Sequence, residues 1–147
     1  MVKVTLRDEV REYEAGTTAY EIARSISAGL AKNACAARID GEPCDLRTPV
    51  EKDCAVEILT FDDPYGKKAF WHTTSHVMAQ AVLHLFPNAK FSIGPAIDSG
   101  FYYDFDVDRP FTADDLARIE EEMAEIIKTG LEVRKFTMTV EEARGFM

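Results

Sequence analysis

Cysteine is scarce in this 147-residue sequence, tryptophan occurs once, and no apolar run approaches the ~20 residues that a membrane-spanning helix needs. Cys35, Cys44 and Cys54 are odd in number and separated by eight and nine residues. That spacing gives neither the close CxxC pairs of zinc sites nor an even disulfide framework, so the thiols read as reduced and structural. The start MVKVTLRDEV lacks the apolar core of a secretory signal, which points to a cytoplasmic protein. A basic excess is also missing. Lys and Arg total 17 against 26 Asp and Glu, giving a net charge of −9, spread as −3 over residues 1–61 and −6 over 62–147. Nucleic-acid affinity comes largely from neutralising phosphates, so any RNA contact made by this chain must be local. Hydrophobic content of 46% with 29% charged residues is ordinary for a globular chain, as one mid-sized domain or two small ones.

The pattern divides the chain in two. VKVTL and REYEA read as strands, and TTAYEIARSISAGLA as one helix capped by Thr17 or Thr18, with Ala19, Ile22, Ala23, Ile26 and Leu30 on its core face. CAARID, the turn DGEP and the strand CAVEILTF complete a ββαββ order with one helix on a mixed sheet. FDDPYGKK then interrupts the pattern, with Pro64 and Gly66 among charges, and predicts a hinge. The apolar helix AFWHTTSHVMAQAVLHLF follows, closed by Pro87-Asn88. KFSIGPAI and FYYDFDV flank DSG, and the period-two run Phe101, Tyr103, Phe105, Val107 predicts a hairpin. Thr112 opens a helix whose core face is Leu116, Ile119, Met123, Ile126 and Ile127, with Gly130 as its stop and Glu120, Glu121, Glu122 and Glu125 as a solvated outer face. LEVRKFTMTV predicts a further strand, and Thr139 with Glu142 a capping box. A helix opening so near Met147 would have little to pack on, so the sequence is expected to continue.

All three histidines lie on the apolar helix. His72 and His76 are four residues apart and share one helix face, with Thr73 and Gln80 beside them. Imidazole titrates near neutral pH, so such a pair can accept a proton from water, orient a hydroxyl or bind a metal. The HExxH protease motif is excluded, because residue 73 is Thr and no carboxylate follows the first histidine. Two imidazoles also fall short of the usual zinc ligand set, so no metal is expected. An HxxxH pair on its own is most often structural, and His84 is read that way. A polar stripe on an apolar helix is costly to bury unless its groups are paired or face a cavity, which favours a role for the pair.

AGTTAYEIARSISAGLAKNACAARIDGEPCDL resembles the TGS domain, a ubiquitin-like β-grasp module, and HTTSHVMAQAVLHLFPNAKFSIGPAIDSGFYYDFD resembles the start of the editing domain of bacterial threonyl-tRNA synthetases. The resemblance extends over PFTADDLARIEEEM and so covers essentially the entire chain. It implies an α+β fold, with a TGS β-grasp domain at residues 1–62 and, at 63–147, the N-terminal part of the HxxxH editing domain, the second additional domain that threonyl- and alanyl-tRNA synthetases share. A pocket for threonine also admits serine, because one methyl group gives only about 1–3 kcal/mol of discrimination. The family therefore hydrolyses the ester of seryl-tRNA(Thr) at a second site. There the resemblance makes His72 and His76 the catalytic pair that positions the terminal ribose and the attacking water. Thr73 joins them as a substrate contact, with Gly94, Pro95, Tyr103 and Asp104 as pocket wall.

The same family completes its editing site with a cysteine and a histidine further along, which Cys35, Cys44 and Cys54 cannot replace. The resemblance thus implies part of an editing pocket, barely active alone and weak on nucleic acid. It belongs to a longer cytoplasmic, homodimeric ligase that engages the acceptor end of tRNA(Thr). The ATP, Mg and Zn of that ligase belong to its aminoacylation domain, and no cofactor is expected here. The alternative is a binding or regulatory module ahead of a nucleoside kinase, which would continue to a GxxxxGK[ST] loop.

Overall fold

The computed structural model describes residues 1–146. Strand β1 (Val2–Leu6) alternates buried Val2, Val4 and Leu6 with exposed Lys3 and Thr5, and pairs antiparallel with β2 (Glu9–Tyr13), Val2 opposite Tyr13 and Leu6 opposite Glu9. The short β3 (Thr17–Thr18) leads into α1 (Ala19–Ile26). Thr18 is its cap: the Thr18 hydroxyl accepts from the Glu21 N–H at 3.2 Å, and the Glu21 carboxylate accepts from the Thr18 N–H at 2.8 Å.

The single helix read from TTAYEIARSISAGLA is in fact two. Ser27 is extended, with φ −163° and ψ 151°, and its hydroxyl accepts from the Leu30 N–H to start α2 (Ala28–Asn33). Serine offers the backbone this local alternative to helical bonding, and here the alternative wins. The break rotates the second turn. Ile22 and Ala23 are fully buried and Ala31 nearly so, but Ile26 is 39% exposed and does not pack on the sheet as the unbroken periodicity predicts.

Strands β4 (Ala34–Ile39), β5 (Glu42–Cys44) and β7 (Cys54–Thr60) complete a five-stranded sheet ordered β2-β1-β7-β4-β5, while β6 (Pro49–Val50) pairs with β3. The central β1–β7 pair is parallel and all other pairs are antiparallel. The turn after β4 needs positive φ at Asp40 (50°) and Gly41 (83°), as the DGEP reading requires. Val2, Val4, Leu6, Ile22, Val50, Cys54 and Val56 form the first core.

Residues 62–66 are no hinge. Asp63 caps α3 (Pro64–Leu85), accepting from the Tyr65 and Gly66 N–H groups at 2.8 and 3.2 Å, and Pro64 takes the first helical position, where a missing N–H costs nothing. The helix runs directly off the sheet: Gly66 is buried so tightly that a Cβ there would lie 2.1 Å from the Thr60 carbonyl oxygen. Arg38 of β4 pairs with Asp63 at 3.3 and 3.4 Å, and Phe61 packs edge-on against Phe70 and Trp71.

Beyond α3 the predicted hairpin forms in two short ladders, β8 (Lys90–Phe91) with β11 (Phe105–Asp106) and β9 (Ala96–Ile97) with β10 (Gly100–Phe101). Helix α4 (Ala113–Thr129) is capped by the reciprocal Thr112–Asp115 box and ends at Gly130 with φ 61°. It packs on α3 through Ile119 and Ile126, which join Ala81 and Val82 in a second core with Met123 at its edge. Leu116 and Ile127, expected in that face, are 58% and 65% exposed. Glu122 leaves the outer face to hold His84 across the helix pair at 2.8 Å. The strand expected at LEVRKFTMTV is absent: residues 131–139 have no regular structure, and Leu131, Val133 and Phe136 are exposed. Thr139 and Glu142 do form their box, opening α5 (Val140–Phe146).

Candidate functional site

The register of α3 brings the two imidazoles together. Four residues is just over one turn, and the Nε2 atoms of His72 and His76 stand 3.1 Å apart, the rings edge-to-face with centroids 4.6 Å apart. One ring therefore donates and the other accepts, which requires that at most one be protonated. Neither Nδ1 has a partner among the described residues. Burial, and then the neighbouring charge of His72, hold the His76 pKa below the ordinary imidazole value. At neutral pH His76 is accordingly uncharged and able to accept a proton. Both histidines are on the exposed side of the helix.

Behind them lies a residue that the sequence reading did not single out. Ser75 is fully buried, its Oγ 2.6 Å from the His72 carbonyl and 3.2 Å from the Gly94 carbonyl, so one hydroxyl ties the helix to the loop before β9. No signal singled it out, because Thr73, Thr74 and Ser75 follow one another and only the fold shows which hydroxyl turns inward, where a polar group needs a partner. Gly94 is a close approach: a Cβ there would meet the Tyr103 ring at 2.1 Å. Tyr103 stacks on Phe105 at 4.8 Å and 15°, and Phe91 closes edge-on from the paired strand. The main chain of Asp104 fixes the loop, its carbonyl accepting from the Ser92 N–H and its N–H donating to the Ile93 carbonyl.

The expected residues thus fall into two pairs, His72 with His76 and Gly94 with Tyr103, joined through Ser75. Pro95 is half-buried beside Gly94, whereas Thr73 and Asp104 are exposed, and among the described residues neither side chain hydrogen-bonds to the imidazoles. His84 is tied to Glu122 and lies outside the group. Among the described residues no three His, Cys, Asp or Glu side chains converge as metal ligands. The chemistry on offer is acid–base work by neutral imidazole, with hydrogen bonding to a hydroxyl or water. All three cysteines are free, and burial pushes each thiol above its ordinary value.

A sheet with parallel neighbouring first and last strands, crossed by the α1–α2 segment, is a ubiquitin-like β-grasp, and residues 2–60 match the family model of the TGS domain. The first unit is a TGS domain within an α+β chain. Over its whole length the chain is similar to the N-terminal region of threonine–tRNA ligases. It is 55% identical over 148 residues to that of Acetivibrio thermocellus, covering all of this chain and 23% of the relative. The enzymes of Caldanaerobacter subterraneus and Desulforamulus reducens are each 53% identical, over 98% and 97% of this chain and 22% and 23% of their own lengths. The chain therefore spans less than a quarter of the relatives it matches. No helix among the described residues is long and apolar enough to cross a membrane.

Proposed function

We propose that this chain supplies the histidine-bearing wall of a hydrolytic site that removes serine from mischarged tRNA(Thr), within a longer threonine–tRNA ligase. The observation that carries the reading is the 3.1 Å Nε2–Nε2 contact between His72 and His76 on an exposed helix face, with the His76 pKa held down. The pair orients the terminal ribose hydroxyl, and neutral His76 takes a proton from the attacking water. The Gly94–Tyr103 wall, pinned to the same helix by Ser75, gives the aminoacyl group a rigid boundary. Such chemistry needs no cofactor from this chain, and ATP, Mg and Zn belong to the attachment of threonine elsewhere in the ligase. Alone, the chain holds a wall without the opposite side, and misplacement by about 1 Å costs on the order of a hundredfold in rate.

The test grafts residues 1–147 onto the remainder of the Acetivibrio thermocellus ligase and follows deacylation of preformed seryl-tRNA(Thr). The graft is expected to hydrolyse it, His72→Ala and His76→Ala to lose at least about a hundredfold, and the ungrafted chain to stay near background. Full hydrolysis by both variants would reduce the histidine row to a structural one.

A further inference from the structure

Among the described residues two polar or charged side chains are buried, Asp115 and Ser75. Asp115 is accounted for by the Arg109 guanidinium and by the cap of α4. Ser75 caps nothing and sits fully buried in the middle of α3. Its hydroxyl has one proton to donate and faces two carbonyls, that of His72 at 2.6 Å and that of Gly94 at 3.2 Å, so the two bonds share it. The first carbonyl belongs to a residue of the imidazole pair. The second belongs to the loop that carries the wall. Among the described residues, the bond to Gly94 is the one hydrogen bond from α3 to segment 90–104. The loop's own bonds run across the hairpin instead, from the Ser92 N–H to the Asp104 carbonyl at 3.0 Å and from the Asp104 N–H to the Ile93 carbonyl at 2.9 Å. Gly94 and Tyr103 therefore move together, and the space between them would not admit even a Cβ.

We infer that Ser75 is a positioning residue that sets the gap between the imidazole pair and the Tyr103 wall, and so decides which aminoacyl ester the site cleaves. The inference rests on the proposed hydrolytic function, in which a seryl ester is cleaved and a threonyl ester, larger by one methyl group, is left alone. Rejecting one extra methyl is worth about 10–200-fold, and only while the wall cannot step back. Apolar packing keeps the loop from closing further on the helix, whereas the Ser75 bond keeps it from opening. Without that donor the Gly94 carbonyl, on a partly exposed residue, turns to water for a partner and takes the Tyr103 ring with it. The imidazoles stay where the helix puts them, so the gap widens while the acid–base groups are unchanged.

The test uses the graft onto the Acetivibrio thermocellus ligase and compares deacylation of preformed seryl- and threonyl-tRNA(Thr). Ser75→Ala should lower the seryl-to-threonyl rate ratio by about tenfold or more, chiefly through faster loss of threonine, and leave the pH profile of seryl deacylation as it was. Ser75→Thr keeps a hydroxyl able to bond the carbonyl three residues back, and should hold the ratio near its native value. Ala79→Gly serves as the comparison for loosened packing. Ala79 is buried one turn further along the same face, and its loss should slow both deacylations alike. An unchanged ratio or a displaced pH profile in Ser75→Ala, a ratio in Ser75→Thr as low as in Ser75→Ala, or an equal shift of the ratio in Ala79→Gly would each overturn the inference. Histidine-dependent deacylation with an unchanged ratio in Ser75→Ala sinks the positioning role alone. Deacylation that survives His72→Ala sinks the hydrolytic reading, and the positioning role with it.

Discussion

At the scale of single residues, the strongest constraints are two glycines and one carboxylate. A Cβ on Gly66 meets main chain, which cannot step aside, whereas one on Gly94 meets the Tyr103 ring. Gly66→Ala is therefore expected to lower the thermal midpoint more than Gly94→Ala, each by about 1–3 kcal/mol of overpacking. Asp115, nearly buried, accepts two bonds from the Arg109 guanidinium at 2.6 and 3.0 Å and one from the Thr112 N–H at 2.9 Å, and these hold its carboxyl well below the usual range. A depressed native pKa gives stability that is complete above the unfolded value of about 3.9 and lost as pH falls below it. Thermal midpoints measured from about pH 5 down to 2 should thus fall more steeply for the native chain than for Asp115→Asn. The His76 shift has the same sense. Its neutral form is favoured in the folded chain, so deacylation by the graft should fall away only below about pH 6.5, and a fall setting in well above that would contradict the assigned role. None of this was legible as geometry in the sequence: the HxxxH spacing told which rings share a face, but not that Ser75 anchors them, because a buried hydroxyl looks like any other polar residue until its partner is known.

At the scale of elements, caps were readable and partners were not. Thr112 and Thr139 announce their helices because an N-cap and its acidic third residue are local, while between Thr17 and Thr18 the structure chooses Thr18; the box expected at Thr139 forms, and Thr18 and Thr112 add two more. Ser27 shows the limit of periodicity. The i, i+3, i+4 pattern runs through it, yet its own hydroxyl caps α2 and turns the apolar stripe aside. Ser27→Ala should cost about 0.5–2 kcal/mol in urea unfolding, as for a lost cap; an unchanged midpoint would mean that tertiary contacts alone set the break. The 131–139 segment failed for the opposite reason. Alternation says which side chains would face one way, but a strand exists only when a neighbour takes its hydrogen bonds, and no described residue does. Between α3 and α4, apolar packing rather than charge sets the contact. Ile126→Ala is expected to cost about 2–5 kcal/mol and His84→Ala, which loses an exposed hydrogen bond, no more than about 1 kcal/mol, both by urea denaturation.

At the scale of the whole molecule, two cores that share no residue are joined by one 22-residue helix, whose first turn is locked onto the sheet and whose later turns carry the histidines and pack on α4. The division into residues 1–62 and 63–147 is a proposal that the separate cores support; the first piece expressed alone should keep its sheet, and loss of that fold would refute it. The TGS unit sets where α3 begins, and the register of α3 sets where the imidazoles stand. The measurement that tests the central claim most directly supplies the grafted ligase with serine and threonine together and reads which aminoacyl-tRNA(Thr) accumulates. The account predicts only threonyl-tRNA from the native graft, and from His72→Ala and His76→Ala an accumulation of seryl-tRNA with threonyl-tRNA formed at the native rate. Variants that accumulate no seryl-tRNA, or that lose threonine attachment equally, would contradict it.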